Sequence, residues 1–313
     1  MIDGTAAKFE VFAAKDYERL DVFLSEVLQI SRSRVNAYIR KKCIQTIPES
    51  TPVRKLKPSM SVQAGQSFMV DVPESPNMKD LEAEDIAFDV VYEDEYLLVI
   101  NKPSGLVVHP APGNWEHTLV NGLVYRYPDM RKLLDRMRPG IVHRLDSPTS
   151  GLMIIARTQE MTLALRNMFT ERKVNKTYIA LAHGTPEKHE GILSGPIARD
   201  PNIPMKMAVV DGGKPSLTGY RVLWSMRGHS LVECKLYTGR THQIRVHMST
   251  LGCPLVGDTM YGAERYGDEF TGRIYLHSWR LEFEHPVGGR AMKFLQVLPY
   301  DFRGMIVRVK LGA

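Results

Sequence analysis

The sequence predicts an α+β protein, in which a large strand-rich domain of mixed sheet with peripheral helices follows a small α/β module. Three observations carry this. Apolar residues recur at helical spacing near the start of the chain. Short apolar and β-branched runs bounded by turn residues dominate from residue 86 onward. Between the two lies Pro73-Glu74-Ser75-Pro76-Asn77-Met78-Lys79-Asp80, a polar, proline-bearing break. The chain has 313 residues, 43% apolar and 24% charged, ordinary for a globular protein and enough for one large and one small domain. The expected organisation is an N-terminal extension over 1–14, a module over 15–72, a linker over 73–85 and the large domain over 86–313.

In the module, Leu20, Phe23, Leu24, Val27 and Leu28 follow i, i+3, i+4, i+7, i+8 and predict an amphipathic helix. Ser31 or Ser33 is placed to cap a second helix with Val35, Tyr38 and Ile39 on its apolar face. Arg32, Arg34, Arg40, Lys41 and Lys42 occupy its other faces, and Arg54, Lys55 and Lys57 follow. Val62, Phe68 and Val70 around Gly65 predict short closing strands. A lone charge run is usually a solvated helix face. Two such clusters in fewer than 60 residues favour a nucleic-acid backbone, bound strongly through charge and weakly through sequence.

In the large domain, Val90-Val91-Tyr92 and Tyr96–Ile100 flank an acidic turn and predict a hairpin. Leu152–Ala156 is a continuous apolar run, as in a strand buried on both faces. Gln159–Arg172 reads as a helix through Leu163, Leu165 and Phe169, with imperfect periodicity. Tyr178–Leu181, Gly219–Trp224 and Leu231–Leu236 read as strands, the last two joined at Arg227-Gly228-His229. Thr241 is placed to cap a helix carrying Ile244, His247, Met248 and Leu251, stopped by Gly252 and Pro254.

The net charge of +6 is compatible with a polyanionic partner and does not by itself identify one. Cys43, Cys234 and Cys253 stand far apart, forming neither a disulfide framework nor a zinc site, which suits a reducing compartment. No apolar run nears the roughly 18 residues of a membrane span, and the first 14 residues lack a signal-peptide pattern. A cytoplasmic protein without membrane contact is therefore expected. Neither a phosphate-binding G-x-x-x-x-G-K nor a dinucleotide-binding G-x-G-x-x-G occurs. His242 and His247 are five apart, which does not place two metal ligands on one helical face.

Three segments combine polar residues, glycine turns and adjoining apolar strands: Asn101–Pro110, Arg138–Gly151 and Tyr237–His247. Read without context, Asp146 serves the Ser-Pro-Thr-Ser turn beside it, Arg245 is a surface helix residue, and His242 and His247 are packing residues. Together, however, the segments resemble a family. His143-Arg144-Leu145-Asp146-Ser147-Pro148-Thr149-Ser150-Gly151 is similar to the H-R-L-D-x-x-T-S-G signature of the RluA/RluD-type pseudouridine synthases. Asn-Lys-Pro-Ser-Gly-Leu-Val-Val-His-Pro at 101–110, Lys176-Thr177-Tyr178, and Gly239–His247 with Leu251–Asp258 resemble its other motifs, in order, across residues 86–290. The module resembles an S4 RNA-binding domain through Arg19–Leu24 and Ser31–Arg34. It departs from the S4 pattern at Lys42–Pro48, where a V-x-V-N-G hairpin is usual.

The resemblance implies a mainly antiparallel catalytic sheet and an enzyme that isomerises uridine in structured RNA. The reaction needs no redox cofactor, nucleotide or metal. It implies Asp146 as the catalytic carboxylate, acting either on C1′ or on a 2′ proton. Arg245 is the cation that keeps Asp146 ionised, and Tyr178 packs on the uracil and relays the C5 proton. Ile244 either lines the base pocket or is helix core. Arg144 clamps the flipped nucleotide or fills the space it leaves. His143 is a loop-fixing residue, and His109 is similar. The RNA-binding set is Arg144, Arg32, Arg34, Arg40, Lys41, Lys55 and Lys57. An S4-like module ahead of this domain favours large-subunit ribosomal RNA, with tRNA second, and a monomer is expected. A non-catalytic RNA-binding or ribosome-assembly factor and a hydrolase built on Asp146 are the alternatives. The intact set Asp146, Tyr178 and Arg245 argues against the first, and the basic module argues against the second.

Overall fold

The computed structural model describes residues 7–28, 32–47, 56–72, 81–110, 114–135, 137–203, 205–268 and 272–312. The chain divides into two compact units, residues 1–80 and 81–313.

The first unit is a three-stranded antiparallel sheet with two helices. Its elements are β1 (Ala7–Phe12), α1 (Leu20–Leu28), α2 (Arg32–Arg40), β2 (Ile44–Thr46) and β3 (Ser67–Val72), and the strand order is β1-β3-β2. Residues 7–12, expected in an extension, are thus a sheet strand. The alternation in Lys-Phe-Glu-Val was too short to stand out, and pairing with β3 holds it (Phe9 opposite Val70). The core is Leu20, Phe23 and Leu24 of α1 and Val35 and Tyr38 of α2, against Phe68 and Val70. Val27, expected on the apolar face, is 44% exposed. β2 occupies the segment that departs from the S4 pattern, and it is an edge strand, paired to β3 alone. Pro48 lies outside the described residues.

The second unit is one ten-stranded mixed sheet. Along the chain it runs β4 (Asp89–Glu93), β5 (Leu97–Lys102), α3 (Leu119–Arg126), β6 (Ser150–Ala156), α4 (Gln159–Thr170), β7 (Asn175–His183), β8 (Glu190–Arg199) and β9 (Met207–Val209). There follow β10 (Lys214–Met226), β11 (His229–Leu236), α5 (Gln243–Thr250), β12 (Leu276–Glu284), β13 (Ala291–Leu295) and α6 (Tyr300–Leu311). The strand order is β4-β5-β6-β12-β7-β11-β10-β8-β9, with β13 also on β12. Among the described strands only the β6–β12 pair is parallel. There Gly151 adopts φ +114°, and a Cβ would lie 2.3 Å from the Ser278 carbonyl oxygen, so no other residue fits without moving β12.

Both faces of the sheet are covered. One packs Ile100, Met153, Ile155, Tyr178 and Cys234 beneath α3 and α5, through Leu119, Leu123, Ile244 and Met248. The other packs Val99, Leu152 and Ile154 against Met161 and Leu165 of α4, and Ile179 and Leu181 against Phe302 and Val309 of α6. All seven residues of β6 are buried, as its apolar run predicts. Leu163, 54% exposed, accounts for the imperfect periodicity of α4. Residues 81–85, expected in the linker, belong to this unit: Asn121 Nδ2 donates to the Glu82 carbonyl (2.8 Å), and the Glu84 N–H donates to the Asn121 carbonyl.

Candidate active site

The site forms where the loop before β6 meets α5. Asp146 opens a tight turn, its carbonyl accepting the Thr149 N–H at 3.0 Å. The 101–110 segment locks that turn from beneath. Ser147 Oγ donates to the Gly105 carbonyl (2.7 Å), the Gly105 N–H donates to the Ser147 carbonyl (2.8 Å), and Ser104 Oγ donates to the Pro148 carbonyl (2.8 Å). Lys102, fully buried, spends its three ammonium protons on the carbonyls of Pro103 (2.8 Å), Leu106 (2.8 Å) and Ser147 (3.0 Å). Burial pushes this amine down to about 7, while nearby Asp146 opposes the shift. Three acceptors for three protons are what an ammonium requires.

On the far side of the turn, His143 Nε2 accepts the Ile154 N–H (2.8 Å) and the ring stacks on Phe169 at 4.6 Å. Burial, with Lys176 adding to it, drives this imidazole down to about 3. It is a neutral bracket between loop and strand, in keeping with the loop-fixing role expected for it.

Arg245 comes from the first turns of α5. Its Nη1 donates to Asp146 Oδ2 (3.1 Å), while Nε and Nη2 grip Asp258 at 2.7 and 2.9 Å. The guanidinium stands 4.9 Å from the Tyr261 ring centroid and is raised further into its charged range by Asp258 and Asp146, against burial. Arg245 is 4% exposed and Asp258 1%, so the fork is fixed from behind and turns Nη1 toward Asp146. Asp146 keeps 17% of its side chain open. Among the described residues, nothing hydrogen-bonds its Oδ1.

The expected Thr241 cap is not formed. His242 is the residue before the helix, in the left-handed region at φ +56°. The Gln243 side chain orders the turn instead, its Oε1 accepting from Thr238 Oγ1 (2.8 Å) and the Arg240 N–H (3.0 Å). This αL residue aims the imidazole inward, Nε2 standing 3.8 Å from Asp146 Oδ2 and Nδ1 2.8 Å from Tyr261 Oη.

Tyr178 is 5% exposed, and burial raises its phenol, with Asp146 near enough to add to the effect. Ile244, expected at the base pocket, is 3% exposed in the same core cluster, which matches its alternative role as helix core. Arg144 is exposed, with no ion pair among the described residues, and it adds to the burial that lowers His109 and His242.

Among the RNA-binding residues expected in the first unit, Arg40, Lys41 and Lys57 are exposed. Arg32 is not free. Its guanidinium pairs with Asp21 at 2.9 Å, alongside Arg19 at the same distance, because Asp21 is 1% exposed and needs both. Lys55 and the Arg34 side chain lie outside the described residues.

Sequence reasoning gave no role to Lys102, Asp258 or Tyr261 and read His242 as packing. An acid in the apolar turn Leu255-Val256-Gly257-Asp258 is a signal in hindsight, since a buried carboxylate calls for a cation. No group of three His, Cys, Asp or Glu side chains among the described residues is arranged to hold a metal ion.

Residues 96–250 match the family model described as RNA pseudouridylate synthase. The solved structure of Human RNA Pseudouridylate Synthase Domain Containing 1 superposes with a TM-score of 0.55 at 30% identity, over 70% of this chain and 86% of that one. The chain is 38% identical to Ribosomal large subunit pseudouridine synthase D of Nitrosomonas europaea, over 93% of this chain and 84% of the relative. It is 40% identical to the Uncharacterized RNA pseudouridine synthase YlyB of Bacillus subtilis, over 94% of both. The chain belongs to the RNA pseudouridylate synthase family and is an isomerase that makes pseudouridine in RNA.

Proposed function

We propose that the substrate is large-subunit ribosomal RNA and that Asp146 is the nucleophilic carboxylate. One observation carries the second statement: Arg245 holds a single oxygen of Asp146 at 3.1 Å and leaves Oδ1 without a partner among the described residues. The fixed guanidinium orients the carboxylate by that one oxygen. Oδ1 is then the atom left for the sugar. The reaction breaks N1–C1′, turns the uracil and joins C5 to C1′. C5 releases a proton and N1 gains one, so no external oxidant or reductant enters. Tyr178, kept a neutral phenol by burial, packs on the base and acts as a hydrogen-bond donor.

Reaching a stacked uridine requires extruding it, at a cost of a few kcal/mol. Arg144, exposed beside Asp146 and free of ion pairs among the described residues, is the clamp for the extruded nucleotide. Arg40, Lys41 and Lys57 of the S4-like first unit add sequence-independent phosphate contacts. The preference for ribosomal RNA rests on the function named for the Nitrosomonas relative, which aligns across both units. A tRNA substrate is the second reading.

The decisive measurement is tritium release from RNA labelled at uridine C5. Asp146→Asn is expected to bind RNA with near-wild-type affinity and to release no tritium above background. Release at the wild-type rate would end the assignment. Mapping pseudouridines in total RNA with and without the gene reads the substrate directly, and loss confined to tRNA would replace ribosomal RNA.

A further inference from the structure

The Asp146 carboxylate has a second neighbour that the isomerase chemistry has not used. His242 Nε2 is 3.8 Å from Asp146 Oδ2, the same oxygen Arg245 holds. The other ring nitrogen, Nδ1, is 2.8 Å from Tyr261 Oη. That hydroxyl already accepts the Met207 N–H at 2.8 Å, which leaves its own proton free to donate. Two tautomers fit the imidazole in isolation. With a proton on Nδ1, the ring donates to Tyr261 and turns the Nε2 lone pair on a carboxylate. With a proton on Nε2, Tyr261 donates to Nδ1 and an N–H faces Asp146. The second is electrostatically favoured at both ends.

The ring is also kept uncharged. Burial lowers its proton affinity, Asp146 and Asp258 raise it, and Arg245 and Arg144 lower it, the balance falling below the usual imidazole range. The remaining group facing it is Tyr261, whose ring meets the imidazole edge-on at 5.7 Å and is itself a neutral phenol, raised by burial. A left-handed backbone at a non-glycine residue is uncommon and costs conformational energy. Here it is what brings the ring to the carboxylate.

We propose that His242 is a positioning residue for Asp146: held as the neutral Nε2–H tautomer by the Tyr261 hydroxyl, it presents a second N–H to the oxygen that Arg245 grips, so that Oδ1 alone faces the sugar. At 3.8 Å the contact is longer than a hydrogen bond, and it closes when a nucleoside drives the carboxylate back into its two donors. A neutral donor suits the role better than a charged one. It orients the carboxylate without drawing off the negative charge the reaction needs. This rests on Asp146 being the reacting group.

The test uses the full chain labelled with nitrogen-15 at histidine, with His242 assigned by its absence in His242→Gln. At pH 7 the expected spectrum shows Nε2 protonated and Nδ1 bare, and Tyr261→Phe abolishes that preference. In single-turnover assays His242→Phe is expected to lose about tenfold in rate with unchanged affinity for RNA. His242→Gln, whose amide reaches the place of Nε2, regains most of it. A ring protonated on Nδ1, or charged, at pH 7 would overturn the proposal, and so would a folded His242→Phe turning over at the wild-type rate. If His242→Phe does not fold, the tautomer and its response to Tyr261→Phe still decide. An active Asp146→Asn would instead remove the carboxylate assignment beneath it.

Discussion

Each unit contains an aspartate only 1% exposed and gripped by arginine, and the two arrangements do opposite things. In the first unit, Asp21 is the buried partner and the guanidinia of Arg19 and Arg32 lie near the surface, their side chains 42% and 55% exposed. Both cations are spent on closing the helix entry, and Asp21 is held down to about 2 by Arg19 first and Arg32 second. In the second unit both Asp258 and Arg245 are buried, and with Nε and Nη2 committed to Asp258 the guanidinium still has Nη1 to donate. That surplus donor reaches a carboxylate open to solvent. Burying the cation along with its first partner turns a staple into a donor for the proposed catalytic carboxylate.

The largest effect should come from removing the buried partner. Asp258→Ala leaves the Arg245 charge enclosed and half-unpaired, with an expected stability loss on the order of 3–5 kcal/mol and near-complete loss of tritium release. Asp21→Ala lets its arginines turn to water. A smaller stability loss confined to the first unit is expected, read by amide exchange. Equal losses from the two variants would break the contrast.

Next in size is Arg245→Lys. A point charge cannot hold Asp258 with two bonds and Asp146 with a third, and turnover should fall about 100-fold with the fold kept. Wild-type turnover from that variant would show that the fork geometry is dispensable.

Acid should separate the units. His143 at about 3 and His277 at about 4 are both depressed by burial below the ordinary 6.5. Between those values the unfolded chain binds more protons, so the second unit loses stability as pH falls from 6.5 toward 3. Asp21 has the depressed carboxylate pattern, and its contribution is lost only between about 3.8 and 2. Trp115, Trp224 and Trp279 all lie in the second unit, so urea unfolding followed by tryptophan fluorescence reports that unit alone. A midpoint constant from pH 7 to 4 would contradict this.

The smallest effect concerns the basic surface. Replacing Arg40, Lys41 and Lys57 by Gln should weaken RNA binding without changing the fold. The salt slope should shrink by about 0.7–0.9 for each phosphate that is no longer neutralised. Arg32→Gln should instead disturb stability through Asp21.

What the sequence showed and what it hid follow from the same contrast. Elements declared by one local pattern were legible, such as the apolar run of β6, the i, i+3, i+4 spacing of α1 and the acidic hairpin turn before β5. The expected Asp146–Arg245 pairing was met in space because each residue sits in a recognisable motif. Asp258 and Tyr261 are defined by partners on other elements, and Lys102 by two nearby carbonyls and one 45 residues on, a convergence on one ammonium that no local spacing announces. The Thr241 cap failed for a related reason. A cap is inferred from residue type, whereas a tertiary demand on His242 and the Gln243 side chain set the turn. Arg32 looked like surface charge because its partner is eleven residues away on another helix.

The strand β12 lies between β6 and β7, although it follows them in sequence by more than 90 residues. Until the ribosome has delivered residue 284, β6 and β7 are neighbours without the ribbon that joins them, and each carries an open edge. A chain released before that point has already made Asp146, Tyr178, Arg245 and Asp258, yet lacks the strand that joins β6, which follows the Asp146 turn, to β7, which carries Tyr178. Chains that end before β12 are therefore expected to be both aggregation-prone and inactive, because the strand that closes the middle of the sheet is among the last to be made.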